Sequence, residues 1–276
     1  MYFHKKSGGK PLLLYSADNG GWDPIDSLVE AGIVVAKSIR HLPYAPEALD
    51  KLSQGWTFNE TTRKWQPPDP KFWAQYSAVA FEGLASAGEW MMDYFSSSGQ
   101  KLGMSQSFNN IKIGDTNYSG LGQDHYGYVQ GHLLRCVVNS SSLPVSRVIW
   151  TSLETKTKDS ISGEAMIGPS LVGNKKVDRA GQYFGNMIHL DLLETSTKAK
   201  VGDKEVDMIT TKPVMFLRHH QDPATKMTIP AGTRAPFEFA HEVPAYLDPP
   251  DAGRLYQLLD DLKAKATAKL KGATNA

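Results

Sequence analysis

Residues 77–84 read SAVAFEGL: a small or apolar run from Ala78 to Phe81, then the carboxylate of Glu82 and a glycine. A continuous apolar run bounded by polar residues is the pattern of a strand buried on both faces, as in a parallel sheet. The acid then falls at the carboxyl end of that strand, where open α/β sheets bind their ligands.

Two further apolar runs precede it. Pro11–Tyr15 is Leu-rich and ends in the polar turn Ser16-Ala17-Asp18-Asn19-Gly20-Gly21, and Ile33–Ile39 reads as a second strand. Between them Asp23 suits a helix N-cap, Pro24 the first helical position and Gly32 the stop, with Ile25, Leu28 and Val29 as the apolar stripe. The order β-α-β with short joints favours a parallel sheet. MYFHKKSGG at the start reads as the last turn of a helix.

The chain alternates around Asn59-Glu60-Thr61-Thr62, which predicts a hairpin ended by Pro67, Pro68 and Pro70. The third buried strand covers Gln75–Leu84, and Ala85–Phe95 is helical in pattern. Residues 96–127 are rich in Ser, Gly and Asn and read as a long loop. A helix from Tyr128 to Asn139 leads to a fourth strand, RVIWTSLE, over Arg147–Glu154. Strands recur at Met187–Leu193 and Val206–Leu217, antiparallel at the sheet edge, with a turn at Gly202-Asp203. Pro249-Pro250-Asp251 starts a last helix with Leu255, Leu258, Leu259 and Leu262 on one face, running into a frayed Lys/Ala tail.

Composition narrows the function classes. Of 276 residues 41% are apolar and 21% charged, enough apolar surface for a sizeable core. Thirty Lys+Arg against 29 Asp+Glu exclude a wholesale polycation for coating nucleic acid. A lone cysteine, Cys136, builds neither a disulfide framework nor a structural zinc site, and its apolar surroundings predict a core thiol. No apolar run reaches the length of a membrane span, and the first residues do not read as a signal peptide, so a cytoplasmic protein without a membrane partner is expected.

Each polar group at a strand end has two readings. Asp18 coordinates magnesium or orients a water, or else supports the Asn19-Gly20 turn. Glu82 has the pattern of a Walker B acid holding Mg²⁺ near nucleotide phosphates, a pattern shared with many buried strands that end in an acid. Thr151 and Ser152 sense a phosphate or a water, or simply close their strand. Convergence of the three strand ends on one crevice would favour the chemical readings together. IGPSLVGNKKVDRAGQYFG (167–185) follows a phosphate backbone with Lys175, Lys176 and Arg179, or is a solvated turn. Trp56, Phe58 and Trp65 stack on bases or pack across their hairpin. Adjacent His219 and His220 point to opposite faces of a strand, and with His241 distant no metal site is expected from them.

In the order of these parts the chain resembles the phage-encoded RecA-like P-loop ATPases, the single-strand annealing and recombination type among them, over roughly residues 1–240. GKPLLLYSADNGGWDPI looks like the strand after the P-loop helix, which implies Asp18 as the acid that positions water. YSAVAFEGL looks like Walker B, which implies Glu82 on Mg²⁺. DHYGYVQGHLLRCVVNSSSLPVSRVIWTSLE looks like the helix and sensor strand, with Thr151 and Ser152 at the sensor place. GEAMIGPSLVGNKKVDRAGQYFGNMIHL is similar to the segment that faces DNA or a neighbouring subunit. Lys226 and Arg234 fall where the family often carries basic residues near an intersubunit phosphate site.

One departure stands out: GxxxxGK[ST] is not among the 276 residues. The resemblance therefore implies an α/β RecA-like core whose first strand and P-loop lie upstream of Met1, with a gap between the strands of Glu82 and Thr151 where that strand would sit. It implies a core over residues 1–248, incomplete at the N-terminus, antiparallel edge strands, and a C-terminal helix and tail over 249–276. It further implies ATP and Mg²⁺ as cofactors, single-stranded DNA and further copies of the chain as partners, and a role in recombination or replication in the host cytoplasm. The alternative is a non-catalytic DNA-binding or assembly subunit that keeps the fold without turnover.

Overall fold

A computed structural model describes residues 2–18, 25–98, 109–113, 116–158, 165–172, 184–201, 204–221 and 228–274. The chain divides into two compact units, the first made of residues 3–157 and 168–183, the second of residue 2, 158–167 and 184–276. The anticipated boundary at 248/249 falls inside the second unit. No helix of the described residues is long and apolar enough to cross a membrane.

The first unit runs α1 (Tyr2–Lys6, its first residue in the second unit), β1 (Leu12–Ser16), α2 (Asp26–Glu30), β2 (Val34–Ser38) and α3 (Ala45–Ser53). It continues through β3 (Thr57–Asn59), β4 (Lys64–Gln66), α4 (Pro70–Trp73), β5 (Ala78–Glu82), α5 (Leu84–Ser98), β6 (Asn109–Ile113), β7 (Thr116–Gly120), α6 (Gln123–Ser140), β8 (Val148–Trp150) and most of β9 (Glu154–Lys158). Four strands form a parallel sheet in the order β2-β1-β5-β8. Leu13 to Ser16 of β1 and Ala78 to Phe81 of β5 are buried, as expected for the two inner strands of a sheet covered on both faces.

Each face has its own cover. Leu14, Val34 and Ala80 make a cluster with Ile25, Leu28 and Val29 from around α2. The alternate residues form an aromatic ladder across neighbouring strands. Tyr15 and Phe81 lie 5.6 Å apart, Phe81 stacks on Trp150 at 4.4 Å, and the Trp150 Nε1–H donates to Ser140 Oγ at the end of α6 at 3.0 Å. From within α6, His132 Nε2–H donates to the Pro46 carbonyl of α3 at 2.8 Å.

Several expectations need correction. The strand pair of Glu82 and Thr151 has no gap: β5 and β8 pair directly, Phe81 opposite Trp150. The fourth strand stops at Trp150, so Thr151 and Ser152 follow it and Glu154 opens β9. Residues 96–127 are not a plain loop, because β6 and β7 form an antiparallel hairpin there and α6 already starts at Gln123. Helix α3 went unread in the sequence. The Asp23 and Pro24 cap lies outside the described residues.

The second unit contains β10 (Ala165–Pro169, its last two residues in the first unit), β11 (Asn186–Met187), β12 (His189–Val201), β13 (Lys204–Phe216), β14 (Arg218–Gln221), β15 (Thr228–Thr233) and β16 (Tyr246–Leu247). β12 and β13 pair along their whole length, from His189 opposite Phe216 to Val201 opposite Lys204. They were expected as edge strands of the parallel sheet. Instead they make a separate antiparallel sheet with β16, in the order β12-β13-β16. The turn expected at Gly202-Asp203 lies outside the described residues.

A last helix, α7 (Ala252–Thr274), is capped by Asp251, whose Oδ1 accepts from Gly253 N at 2.7 Å and Arg254 N at 3.2 Å. Leu255, Leu259 and Leu262 are buried at helical spacing. The expected frayed tail is instead helical to Thr274. Lys265 and Lys269 pair with Glu242 and Glu238 of a 3₁₀ turn at 2.6 and 2.8 Å.

Candidate functional site

The strand order fixes where a ligand can sit. From β1 the chain goes to β2 on one side, then returns to β5 on the other, so the topological switch point lies between β1 and β5. Ser16 and Glu82 are register neighbours at that point and close these two strands.

The three strand ends are tied together. The Ser16 hydroxyl donates to Glu82 Oε2, and Ser16 Oγ accepts from the Asp18 backbone N–H at 3.1 Å. Gly83 follows Glu82 with φ +78°, a left-handed conformation that glycine adopts without strain. A Cβ there would fall 3.0–3.1 Å from the Asp18 carboxylate, so the side chain of Asp18 rests against the Gly83 backbone. Gly83 N–H donates to Thr151 Oγ1 at 3.0 Å, and Leu84 N–H to the Thr151 carbonyl at 2.9 Å. Asp18, Glu82 and Thr151 thus belong to one locus.

Ser152 does not join them. Its hydroxyl reaches the carbonyls of Leu153 and Ser170 at 2.9 and 2.8 Å, so it fixes the segment after β10. That segment also accepts from Gln130 through the Val172 carbonyl at 2.6 Å. It lies so close to α5 that a side chain on Gly88 would overlap Val172.

One group at the site was missed in the sequence. Arg40 follows β2, and its Nε–H donates to the Ala17 carbonyl at 2.6 Å and Nη2 to the Ser86 carbonyl at 3.5 Å. This places a fixed positive charge among the same strand ends as the two carboxylates. The available signal was its position, just past an apolar strand. Helix α5 opens at Leu84, which adds its positive end beside Glu82.

The donor atoms here are oxygens, the ligand type that hard cations take. Magnesium takes oxygen ligands, binds through one or two carboxylates and leaves places for water or phosphate oxygens. Asp18, Glu82, Ser16 and Thr151 present oxygens, and the Arg40 guanidinium lies among the same strand ends.

The other predicted residues divide as follows. Lys175, Lys176, Arg179 and Lys226 lie outside the described residues. Arg234 is exposed in the second unit, its backbone N–H donating to Asn186 Oδ1 at 2.8 Å. The hairpin rings take the packing reading: Phe58 and Trp65 meet edge-on at 5.1 Å, and Lys51 lies over Trp65 and Trp56 at 5.2 and 5.5 Å. Cys136 is buried, and burial pushes its thiol up to about 12. No protein-family model, curated protein or solved structure matches the chain.

Proposed function

We propose that the chain is an ATP-binding protein of RecA-like type that acts on DNA in phage recombination or replication. The observation that supports this most is the meeting of Asp18 and Glu82 at the switch point of a parallel sheet, with Thr151 hydrogen-bonded beside them. In this reading Glu82 and Asp18 hold Mg²⁺ and orient water, Thr151 senses the terminal phosphate, and Arg40 complements phosphate charge. Single-stranded DNA runs along the basic segment with Lys175, Lys176 and Arg179, and Lys226 and Arg234 serve a neighbouring copy.

A second reading, a non-catalytic DNA-binding or assembly subunit, is favoured by one sequence fact. The phosphate cradle GxxxxGK[ST] is not among the 276 residues, and its amides and lysine normally supply most phosphate affinity.

Calorimetry with Mg·ATP, with and without single-stranded DNA, separates the two. The first reading expects micromolar binding, about −8 kcal/mol, weakened more than about tenfold by Glu82→Gln in a folded protein. Absent binding by the wild-type chain overturns it. DNA affinity that survives Glu82→Gln but falls on Lys175→Ala with Lys176→Ala, in a chain without ATP affinity, supports the second.

A further inference from the structure

Among the described residues two groups of metal-ligating side chains come together, one in each unit. In the first unit Asp50, His132 and Cys136 have their ligand atoms within 4.8 Å of one another. That group is already committed to the fold. His132 uses both ring nitrogens, toward the Pro46 carbonyl and Arg135 Nη2 at 2.8 and 2.7 Å. Asp50 faces Arg135 at 3.6 Å, and a thiol pushed up to about 12 resists becoming a thiolate ligand.

The second group is His189, Asp191 and His220, with ligand atoms within the same 4.8 Å. We propose that these three residues bind a divalent first-row transition ion of zinc type, in a site independent of the strand-end crevice.

The fold explains how they meet. His189 and Asp191 are two residues apart on β12, so they share one face of the ribbon. Phe216 is the register partner of His189. The His220 ring stacks on Phe216 at 3.5 Å and 13°, which brings it 5.5 Å from the His189 ring. The β14–β15 ladder shifts register between Arg218 and His220. The shift lies opposite Pro230, which has no N–H to offer a ladder. Such irregularities re-aim side chains. His220 Nδ1–H donates to the Arg218 carbonyl at 3.3 Å, the bond that leaves Nε2 as the ligating nitrogen. His220 Nε2 and His189 Nδ1 are both buried from water. Asp191 Oδ1 accepts from Leu192 N at 2.7 Å, a bond that orients the carboxylate and leaves it further acceptor sites.

The ligand set selects the ion. Two imidazoles and one carboxylate suit zinc, cobalt and ferrous iron, whereas magnesium and calcium prefer oxygen throughout. Three protein ligands leave a fourth position for water or a substrate. Tetrahedral bonds of about 2.1 Å place ligands roughly 3.4 Å apart, so metal entry draws the three side chains inward through small rotations.

The test uses the full chain, stripped with chelator, and Co²⁺ and Zn²⁺ alone as probes. One equivalent of Co²⁺ gives a visible d–d band without a thiolate charge-transfer band, and Zn²⁺ displaces it. His189→Ala and His220→Ala each weaken binding more than about 100-fold, beyond the 10–100-fold typical of second-shell changes. The near-isosteric Asp191→Asn weakens it as well, and His219→Ala does not. A measurement without substitution guards against misfolded variants: Zn²⁺ shifts the imidazole ¹⁵N resonances of His189 and His220 and leaves those of His132 in place. No metal binding by the wild-type chain overturns the proposal. So does a thiolate band lost in Cys136→Ser, or ¹⁵N shifts at His132 instead.

Discussion

The two units gather polar groups by opposite geometries. In the first, parallel strands end along one edge, so Asp18, Glu82 and Thr151 meet because each follows an apolar run. In the second, His189, Asp191 and His220 meet on a face, through period two, antiparallel register and one ladder shift. The first arrangement tolerates loops of any length between its strands. The second depends on every pairing step, since a slip of one residue sends a whole face to the other side. Burial divides the units in the same way. The inner strands β1 and β5 are enclosed, whereas Leu190, Leu192 and Ile209 of the ribbon are 60–67% exposed.

The largest expected effect tests that contrast in burial. All six tryptophans, at 22, 56, 65, 73, 90 and 150, precede residue 158, so tryptophan fluorescence reports on the first unit. Phe81→Ala, which removes a ring between Tyr15 and Trp150, should cost about 3–5 kcal/mol in fluorescence-monitored urea unfolding. Leu192→Ala in the ribbon should change the urea unfolding of the second unit, followed by far-UV circular dichroism, by less than about 0.5 kcal/mol. Similar losses for both would end the contrast.

A smaller effect separates the two glycines nearest the two arrangements. Gly83→Ala forces a side chain into a left-handed conformation against Asp18, at a cost of about 1–3 kcal/mol. Gly232, whose Cβ would meet nothing within 4 Å, should accept alanine without loss of stability. Thermal unfolding of each variant compares them. Wild-type behaviour of Gly83→Ala would mean that the close approach of Asp18 is not maintained.

The smallest is a pH slope. Burial holds the His132 imidazole below its ordinary 6.5, with Arg135 acting in the same direction and the Pro46 carbonyl and Asp50 opposing. As pH falls below 6.5, the unfolded chain takes up the proton first, so stability of the first unit declines from there toward the lower folded value. Urea midpoints by fluorescence between pH 7.5 and pH 5 should fall for the wild type and flatten in His132→Gln (values on the order of these pH limits bracket the imidazole range). An unchanged slope in the variant would assign the titration to another group.

The same geometric difference decides what was legible in the sequence. The runs at Pro11–Tyr15, Ile33–Ile39 and Gln75–Leu84 signalled strands because each is mostly apolar, and Asp18 beyond the first and Glu82 at the end of the third marked the crevice. Arg40 was missed because its one signal, a place just past an apolar strand, is shared with many solvated cations. Helix α3 escaped because Tyr44 precedes it at φ 56° and Pro46 stands in its first turn, which hid a buried stripe of Ala48, Leu49 and Leu52. The start of α6 was blurred by its polar opening, Gln-Asp-His-Tyr-Gly. The ribbon strands showed their alternation, but alternation does not say which sheet they join. His189 lies 31 positions from His220, and no spacing rule connects them without the register.

Beyond Leu193 and Lys212, every described side chain of the ribbon, Glu194 to Lys198 and Asp207 to Thr211, is exposed. A ribbon solvated on both faces carries no preference for one alignment over its neighbours. Its alignment is therefore set at the base, where Val214 and Phe216 pack with Ala231 and Leu193. The base acts as a clasp: whatever holds His189 opposite Phe216 dictates, pair by pair, what the distal arm presents to its surroundings.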